Sequence, residues 1–102
     1  MEFEFNNKEL ETLYTSGKSK KLKLSRDIID KFFARIQQIE AAHSIYDLWN
    51  DKGLNFEKLQ GHSNLYSMRL KLKYRLEMQI KWKNDEKTVG DFLLTDITNH
   101  YD

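Results

Sequence analysis

The sequence predicts an α+β domain in which two N-terminal helices pack on one face of a mostly antiparallel, twisted sheet. Three observations support this: an alternating pattern at the N-terminus, apolar residues at helical spacing up to residue 43, and alternating patterns over most of the remaining chain. The predicted order of elements is β-α-α-β-β-β-β. No internal repeat or linker divides the 102 residues, so we expect residues 1–102 to form a single domain.

The first two predicted elements are a short strand and a capped helix. Residues 2–5 alternate Glu with Phe, which is typical of a strand with one buried face. The residues that follow favour a helix, because Asn6 or Asn7 can accept hydrogen bonds from its first N–H groups. Gly17 is suited to the left-handed conformation with which helices commonly end.

A second and longer helix is predicted for residues 25–43. Ser25 is a suitable N-cap, and Ile and Phe side chains then recur at three- and four-residue intervals. This stripe predicts packing against the core and no ligand-binding role. Residues 44–50 then form a short helical turn or loop before the chain-breaking sequence Asp51-Lys-Gly53.

The second half of the chain predicts strands joined by tight turns. Residues 54–59 are expected to form a short strand, and residues 65–70 form the next. Residues 74–82 alternate regularly, with apolar side chains facing in and polar side chains facing out. A hairpin tip at residues 84–87 leads into the last strand, over residues 88–97. Because the helices cover one face, we expect the other face to be free.

The distribution of charged residues along the sequence favours an anionic partner more than the net charge does. The formal net charge is only +1, from 17 Lys and Arg against 16 Asp and Glu. Basic residues concentrate in segments 18–35 and 58–83, however, and acidic residues lie near both ends. Such segregation is typical of a fold with one basic face for a phosphate backbone. On charge alone, scattered and solvated lysines are an equally good interpretation.

Composition excludes several classes of site. The chain has no cysteine, which rules out disulfides, a zinc ribbon and thiol catalysis. His43, His62 and His100 are far apart and lack metal-ligand spacing, so we expect no metal or other cofactor. No segment is apolar over a membrane's width, and the N-terminus lacks the features of a signal peptide. We therefore expect a cytoplasmic protein without a membrane partner.

Two arginines on neighbouring strands give the sharpest functional indication. Arg69 and Arg75 fall on the non-core face of strands joined by a tight turn near Lys71-Leu-Lys73. Antiparallel pairing brings the two guanidinium groups together, and such a pair, with no carboxylate between, is suited to gripping phosphate. The alternative is an ordinary cross-strand ion pair in which Glu77 or an acid of the last strand neutralises them.

His100 and Tyr101 follow the last predicted strand. A frayed and chemically idle tail is the simplest interpretation of such an end. Beside an arginine pair, however, they would supply a proton-transfer group and a stacking platform. RNA cleavage without a metal needs a base for the ribose 2'-hydroxyl, a cation for the charge developing on phosphorus, and an acid for the departing 5'-oxygen. Histidine suits either proton-transfer role because it titrates near neutral pH.

Four short motifs occur in a characteristic order. They are Leu59-Gln-Gly61, Leu65-Tyr-Ser-Met-Arg69, Tyr74-Arg75-Leu and Asp96-Ile-Thr-Asn-His100-Tyr101. In this order they resemble the HigB branch of the RelE toxin superfamily, also called plasmid maintenance system killer proteins. The resemblance covers essentially the whole chain, and it implies a RelE-like fold.

The resemblance implies the toxin of a type II toxin–antitoxin system, an mRNA interferase that enters the ribosomal A site and cuts the codon there. In the family the 2'-hydroxyl is the nucleophile and a 2',3'-cyclic phosphate is left. The resemblance implies phosphate gripping and transition-state stabilisation for Arg69 and Arg75. It implies acid/base and stacking roles for His100 and Tyr101, with the assignment between the two left open. The implied partners are the ribosome, mRNA and a HigA-like helix-turn-helix antitoxin.

Further basic residues are expected to position the RNA, namely Lys18, Lys20, Lys21, Lys23, His62, Lys71 and Lys73. Segment 18–23 matches in position the loop with which the family approaches ribosomal RNA. The chain departs from the family pattern at Gln60, where relatives often have Lys, and at Asn99, where an acidic residue is common. His62 is a candidate to compensate, although a solvated loop histidine is the simpler interpretation.

Two other function classes stay open at the level of sequence. A non-catalytic RelE-like module would only occupy the ribosome or co-repress transcription with its partner. A small structural β-sheet protein without a nucleic-acid role would lack a basic concavity. Codon-phased cuts in a translated message distinguish an enzyme from the first class, and the positions of Arg69, Arg75 and His100 bear on the second.

Overall fold

The computed structural model describes residues 1–99 of the chain. The helices are α1 (Lys8–Ser16), α2 (Arg26–Ala41) and α3 (Ile45–Trp49), followed by a 3₁₀ helix (Lys52–Leu54). The strands are β1 (Phe3–Phe5), β2 (Glu57–Lys58), β3 (Tyr66–Arg69), β4 (Tyr74–Trp82) and β5 (Gly90–Asn99). The α+β class is confirmed. The predicted order of elements is incomplete, because a third α-helix lies between α2 and β2.

Five strands form one mixed sheet in the order β1-β5-β4-β3-β2. β1 runs parallel to β5, and the other neighbouring strands are antiparallel. The long connection through the helices carries the chain from β1 at one edge of the sheet to β2 at the other edge. β5 and β4 therefore lie in the middle of the sheet, and β3 is covered at its outer side only by the two residues of β2.

The extra helix lies where the sequence pattern was ambiguous. α3 forms because Ile45 and Leu48, three residues apart, are both buried. The predicted strand over residues 54–59 is wrong in its first part, where Leu54 ends the 3₁₀ helix. Asn55 then takes a left-handed conformation with φ 45°, which a strand does not allow. β2 is consequently reduced to a short edge strand.

The two longer helices begin and end close to the predicted positions. The side chain of Asn7 accepts hydrogen bonds from two N–H groups of the first turn of α1, at 2.9 and 3.3 Å, so Asn7 rather than Asn6 is the cap. Gly17 ends α1 with φ 78°. Ser25 caps α2, again through its side-chain oxygen.

All three helices contribute to one core on one face of the sheet. Fully buried helical side chains include Leu10, Leu13, Phe32, Ile36 and Ile39, and fully buried strand side chains include Met68, Leu76, Met78, Phe92 and Leu94. The prediction that helices cover one face is confirmed. The opposite, outer face of the sheet carries the polar side chains that alternate with these strand residues.

A β-bulge in β5 sets the register at the end of the sheet. Glu77 of β4 pairs with Asp96, whereas the next residue of β4 pairs with Leu94, so Thr95 is the extra residue. The bulge shifts the alternation of β5 by one, and Leu94 and Ile97 consequently both face the core. The regular alternation of β4 did not reveal this shift, because the irregularity belongs to its partner strand.

Candidate functional site

The β3–β4 hairpin presents a basic tip around an exposed leucine. The Tyr74 N–H donates to the Lys71 carbonyl at 3.0 Å, which closes a tight turn. Leu72 sits in this turn with φ 57° and is 75% exposed. A leucine at positive φ is strained, and it is held here only by the turn that the two strands impose. Lys71 and Lys73 flank it, and both are exposed.

Arg69 and Arg75 lie directly opposite each other where β3 and β4 leave this turn. The neighbouring pair is hydrogen-bonded, since the Leu70 N–H donates to the Tyr74 carbonyl at 2.9 Å. Hydrogen-bonded and non-hydrogen-bonded residue pairs alternate along an antiparallel ladder, so the arginine pair is a non-hydrogen-bonded one. In such a pair the Cα atoms are about 4.5 Å apart and the two side chains lie on the same face of the sheet. The predicted juxtaposition of the two arginines is confirmed.

Arg75 is not free of carboxylates, which corrects one premise of the sequence analysis. Its Nη1 donates to Oε1 of Glu57 on β2 in a close ion pair, and lies 3.5 Å from Oγ of Ser67 on β3. The partner is an acid of the edge strand, whereas the sequence pointed to Glu77 or to β5. The Arg75 and Glu57 side chains are 28% and 43% exposed, so solvent screens the pair partly.

Arg69 has the more open environment of the two arginines. It is exposed at the end of β3, and within residues 1–99 the ion pairs of the structure do not involve its guanidinium group. Its guanidinium group has five N–H donors with which it can bind an anion. Within residues 1–99, the two side chains thus differ: Arg69 is exposed, and Arg75 pairs with Glu57.

Sequence reasoning missed Glu57, although a pattern for it exists. It follows the buried Phe56 directly, and alternation therefore puts it on the outer face of the sheet. Its register partner is Ser67, the next residue across is Glu77, and Thr98 donates to Glu77 Oε2 at 2.8 Å. Glu77 is in turn paired with Asp96 on β5, so a polar row with three carboxylates runs beside the arginine row.

Charge is segregated along the outer face. The arginine pair and the basic hairpin tip lie at one end. Near β1, a groove of about 380 Å³ is lined by Glu2, Glu4 and Asp91, with Lys81 as its basic side chain. The expected single basic face is therefore restricted to the end of the sheet that carries the β3–β4 hairpin, and the β1 edge is mainly acidic.

An ion pair fixes the hairpin tip to the start of α2. Lys71 Nζ lies 2.7 Å from Asp27 Oδ2. The hydrogen bond and the positive charge of Lys71 lower the pKa of the Asp27 carboxyl below its ordinary value. The contact brings the tip next to the helix that follows the basic loop carrying Lys18, Lys20, Lys21 and Lys23, all of which are exposed.

Replacing Lys71 with alanine is expected to raise the pKa of Asp27 back towards its ordinary value. A carboxyl group whose pKa is lowered by folding stabilises the fold at pH values above its ordinary pKa. This contribution is lost as the pH falls through the lowered pKa. NMR titration of the Asp27 carboxyl carbon in both proteins measures the change. Lys73→Ala, at the same tip, is the control and should leave the titration of Asp27 as in the wild type. An unchanged titration in Lys71→Ala would contradict the pairing.

The other predicted site residues are not all brought to the arginine pair. His62 is exposed in the loop before β3, at the end of that strand remote from Arg69. β5 runs as far as Asn99, and Thr98 lies opposite Arg75. His100 and Tyr101 lie outside the described residues.

Within residues 1–99, no group of three His, Asp or Glu side chains is arranged to hold a metal ion. In the same part of the chain, no helix has the length and apolar character needed to span a bilayer.

Comparison with known proteins identifies one family. A family model described as the RelE-like toxin of type II toxin–antitoxin system HigB matches residues 3–94. A search of curated proteins finds no significant match. The matched region contains every helix, Glu57, Arg69 and Arg75, and it ends before His100 and Tyr101.

Proposed function

Since this chain belongs to the HigB-like family of RelE-like toxins, and is therefore the toxin of a type II toxin–antitoxin pair with an antitoxin as partner, we propose that it is a metal-independent mRNA endonuclease that cuts codons in the ribosomal A site. The partner that neutralises it is proposed to be a HigA-like helix-turn-helix protein, and the site of action is the cytoplasm.

The observation that carries this proposal is the arginine pair. Two guanidinium groups on one face repel each other; Glu57 offsets this repulsion in part at Arg75, and an anion bound between the two groups would offset it further. A phosphodiester suits the planar donors of such a pair. Arg69 is exposed, and Arg75 is oriented by Glu57 through its Nη1 group. Both side chains are proposed to grip the scissile phosphate.

The proposed reaction is an attack by the ribose 2'-hydroxyl on the adjacent phosphorus. A base takes the 2'-hydroxyl proton, the bond from phosphorus to the 5'-oxygen breaks, and an acid donates a proton to that oxygen. The products are a 2',3'-cyclic phosphate and a 5'-hydroxyl. Arg69 and Arg75 stabilise the additional negative charge on the phosphoryl oxygens. His100 and Tyr101, which directly follow Asn99, are proposed to transfer protons and to stack on a base.

Recognition of the ribosome is proposed to involve the basic side chains outside the arginine pair. Lys71 and Lys73 lie at the hairpin tip beside the pair, and Lys18, Lys20, Lys21 and Lys23 lie on the loop before α2. Exposed lysines of this kind hold phosphates without reading sequence. His62, remote along β3, would contact RNA only outside the scissile phosphate.

Primer extension on a translated message tests the function. Expression of the toxin should produce 5'-ends at codon-phased positions, and these ends should vanish when the start codon of the reporter message is destroyed. Cleavage that persists in the untranslated message would contradict ribosome dependence. A reporter with an unchanged start codon and an inactive toxin is the matched control.

The Glu57–Arg75 ion pair favours a second candidate, a non-catalytic RelE-like module that binds RNA or the ribosome or co-represses transcription. If Glu57 holds Arg75 permanently, this arginine is an ordinary structural partner and only Arg69 of the pair is left to bind phosphate. Growth inhibition without any codon-phased cut would support this candidate over the nuclease.

A further inference from the structure

Arg35 is a buried arginine in the middle of α2. It is 9% exposed and lies on the same helical face as Phe32 and Ile39, which are fully buried. Burial lowers the pKa of its guanidinium group, and the nearby carboxylate of Asp51 offsets part of that effect. A charge in such a position is retained only where its donors are well satisfied.

The donors of Arg35 bind the chain at two distant places. Its Nε donates to the backbone carbonyl of Arg69 at 2.7 Å, and its Nη2 lies 3.4 Å from the carbonyl of Gly53 in the 3₁₀ helix. Its Nη1 donates to Gln38 at 2.8 Å, and Gln38 in turn donates to Asp51 at 3.1 Å. The 2.7 Å contact is the shortest of these, and it reaches the backbone of a proposed phosphate-binding residue.

The Arg69 carbonyl needs this donor because the sheet does not supply one. In a non-hydrogen-bonded pair with Arg75, the Arg69 N–H and C=O point away from β4. On that other side, β2 pairs only with Tyr66 and Ser67, so it ends before reaching Arg69. Arg35 therefore takes the place of a missing strand and anchors the last residue of β3 to α2.

We propose that Arg35 is a positioning residue for Arg69: its hydrogen bond to the Arg69 carbonyl fixes the end of β3, and thereby the guanidinium group of Arg69, relative to Arg75. This inference rests on the proposed phosphate-binding role of the arginine pair. Arg35 does not touch the substrate. It should act on the alignment of the pair, which determines how well charge is stabilised in the transition state.

A double-mutant cycle tests the inference, with cleavage of an mRNA on programmed ribosomes as the assay. Arg35→Met should lower kcat on the order of 10- to 100-fold, with a smaller change in KM. In the Arg69→Ala background, which keeps the backbone carbonyl but removes the guanidinium group, Arg35→Met should lower kcat less than about two-fold. Arg26→Met, on an exposed position of the same helix, is the matched control and should change neither constant.

Each outcome of the cycle decides one claim. Equal loss from Arg35→Met in both backgrounds means a general structural role and overturns the positioning of Arg69. An unchanged kcat in Arg35→Met also overturns it. If Arg69→Ala itself has no effect, the proposed function fails first and the inference falls with it. Arg35→Lys, which keeps the charge and reaches fewer carbonyls, replaces Arg35→Met in the same cycle if circular dichroism shows the methionine variant to be unfolded.

Discussion

Replacement of Arg75 by alanine is expected to slow mRNA cleavage on ribosomes on the order of 100- to 1,000-fold, because the proposed role of this cation is to stabilise the charge developing on the phosphate. The loss should fall on kcat, since charge increases between the bound substrate and the transition state. Single-turnover cleavage of a defined message on programmed ribosomes measures it. In cells, the same variant should relieve growth arrest.

The fold should survive this substitution. Glu57 loses its partner, but its side chain is 43% exposed and water can solvate the carboxylate. Arg26→Ala is the matched control, because Arg26 forms an ion pair with Asp30 on α2 and its side chain is 80% exposed. Arg26→Ala should cleave at the wild-type rate. Wild-type cleavage by Arg75→Ala, or an equal loss in Arg26→Ala, would contradict the role of the pair.

The second large effect is expected in stability, from truncation of Leu94. This side chain is fully buried on β5, between β1 and β4. Leu94→Ala should lower the free energy of unfolding by about 2–5 kcal/mol, because it removes buried methyl groups and leaves a cavity. That is a large part of the stability of a small domain. Urea unfolding measures it as a lower midpoint at an unchanged slope.

Leu93 provides the matched control on the same strand. It points to the outer face, where it is half-buried and lines the acidic groove. Leu93→Ala should therefore cost about 1 kcal/mol or less. A cost for Leu93→Ala equal to that for Leu94→Ala would mean that the outer face is also packed. It would contradict the placement of the helices on one side of the sheet.

Much of the fold was predictable because its patterns are local. β4 has the predicted bounds, since alternation over nine residues is a strong pattern. The helix caps at Asn7 and Ser25 were predictable for the same reason. The 3₁₀ helix and the shortened β2 were not, because the left-handed conformation of Asn55 and the burial of Leu54 depend on contacts that propensity does not describe.

The candidate site was predictable only where two strands are joined by a tight turn. Alternation on each side of the turn set Arg69 opposite Arg75. Glu57 reaches Arg75 through an edge strand, and its register depends on a longer loop whose geometry the sequence does not specify. Arg35 was detectable in principle, since it lies three residues after Phe32 and interrupts an apolar helical stripe. Its partner, the Arg69 carbonyl, is distant in the sequence and could be identified only from the structure.

Analysis of the product ends tests the proposed cleavage of the A-site codon most directly. A message held on ribosomes with one defined codon in the A site is incubated with the toxin, beside the same message without ribosomes. We expect a single cut within that codon, only on the ribosome, with a 2',3'-cyclic phosphate on the upstream fragment. An uncut message, cuts of equal yield without ribosomes, or an upstream fragment that ends in a 3'-hydroxyl would contradict the proposed reaction.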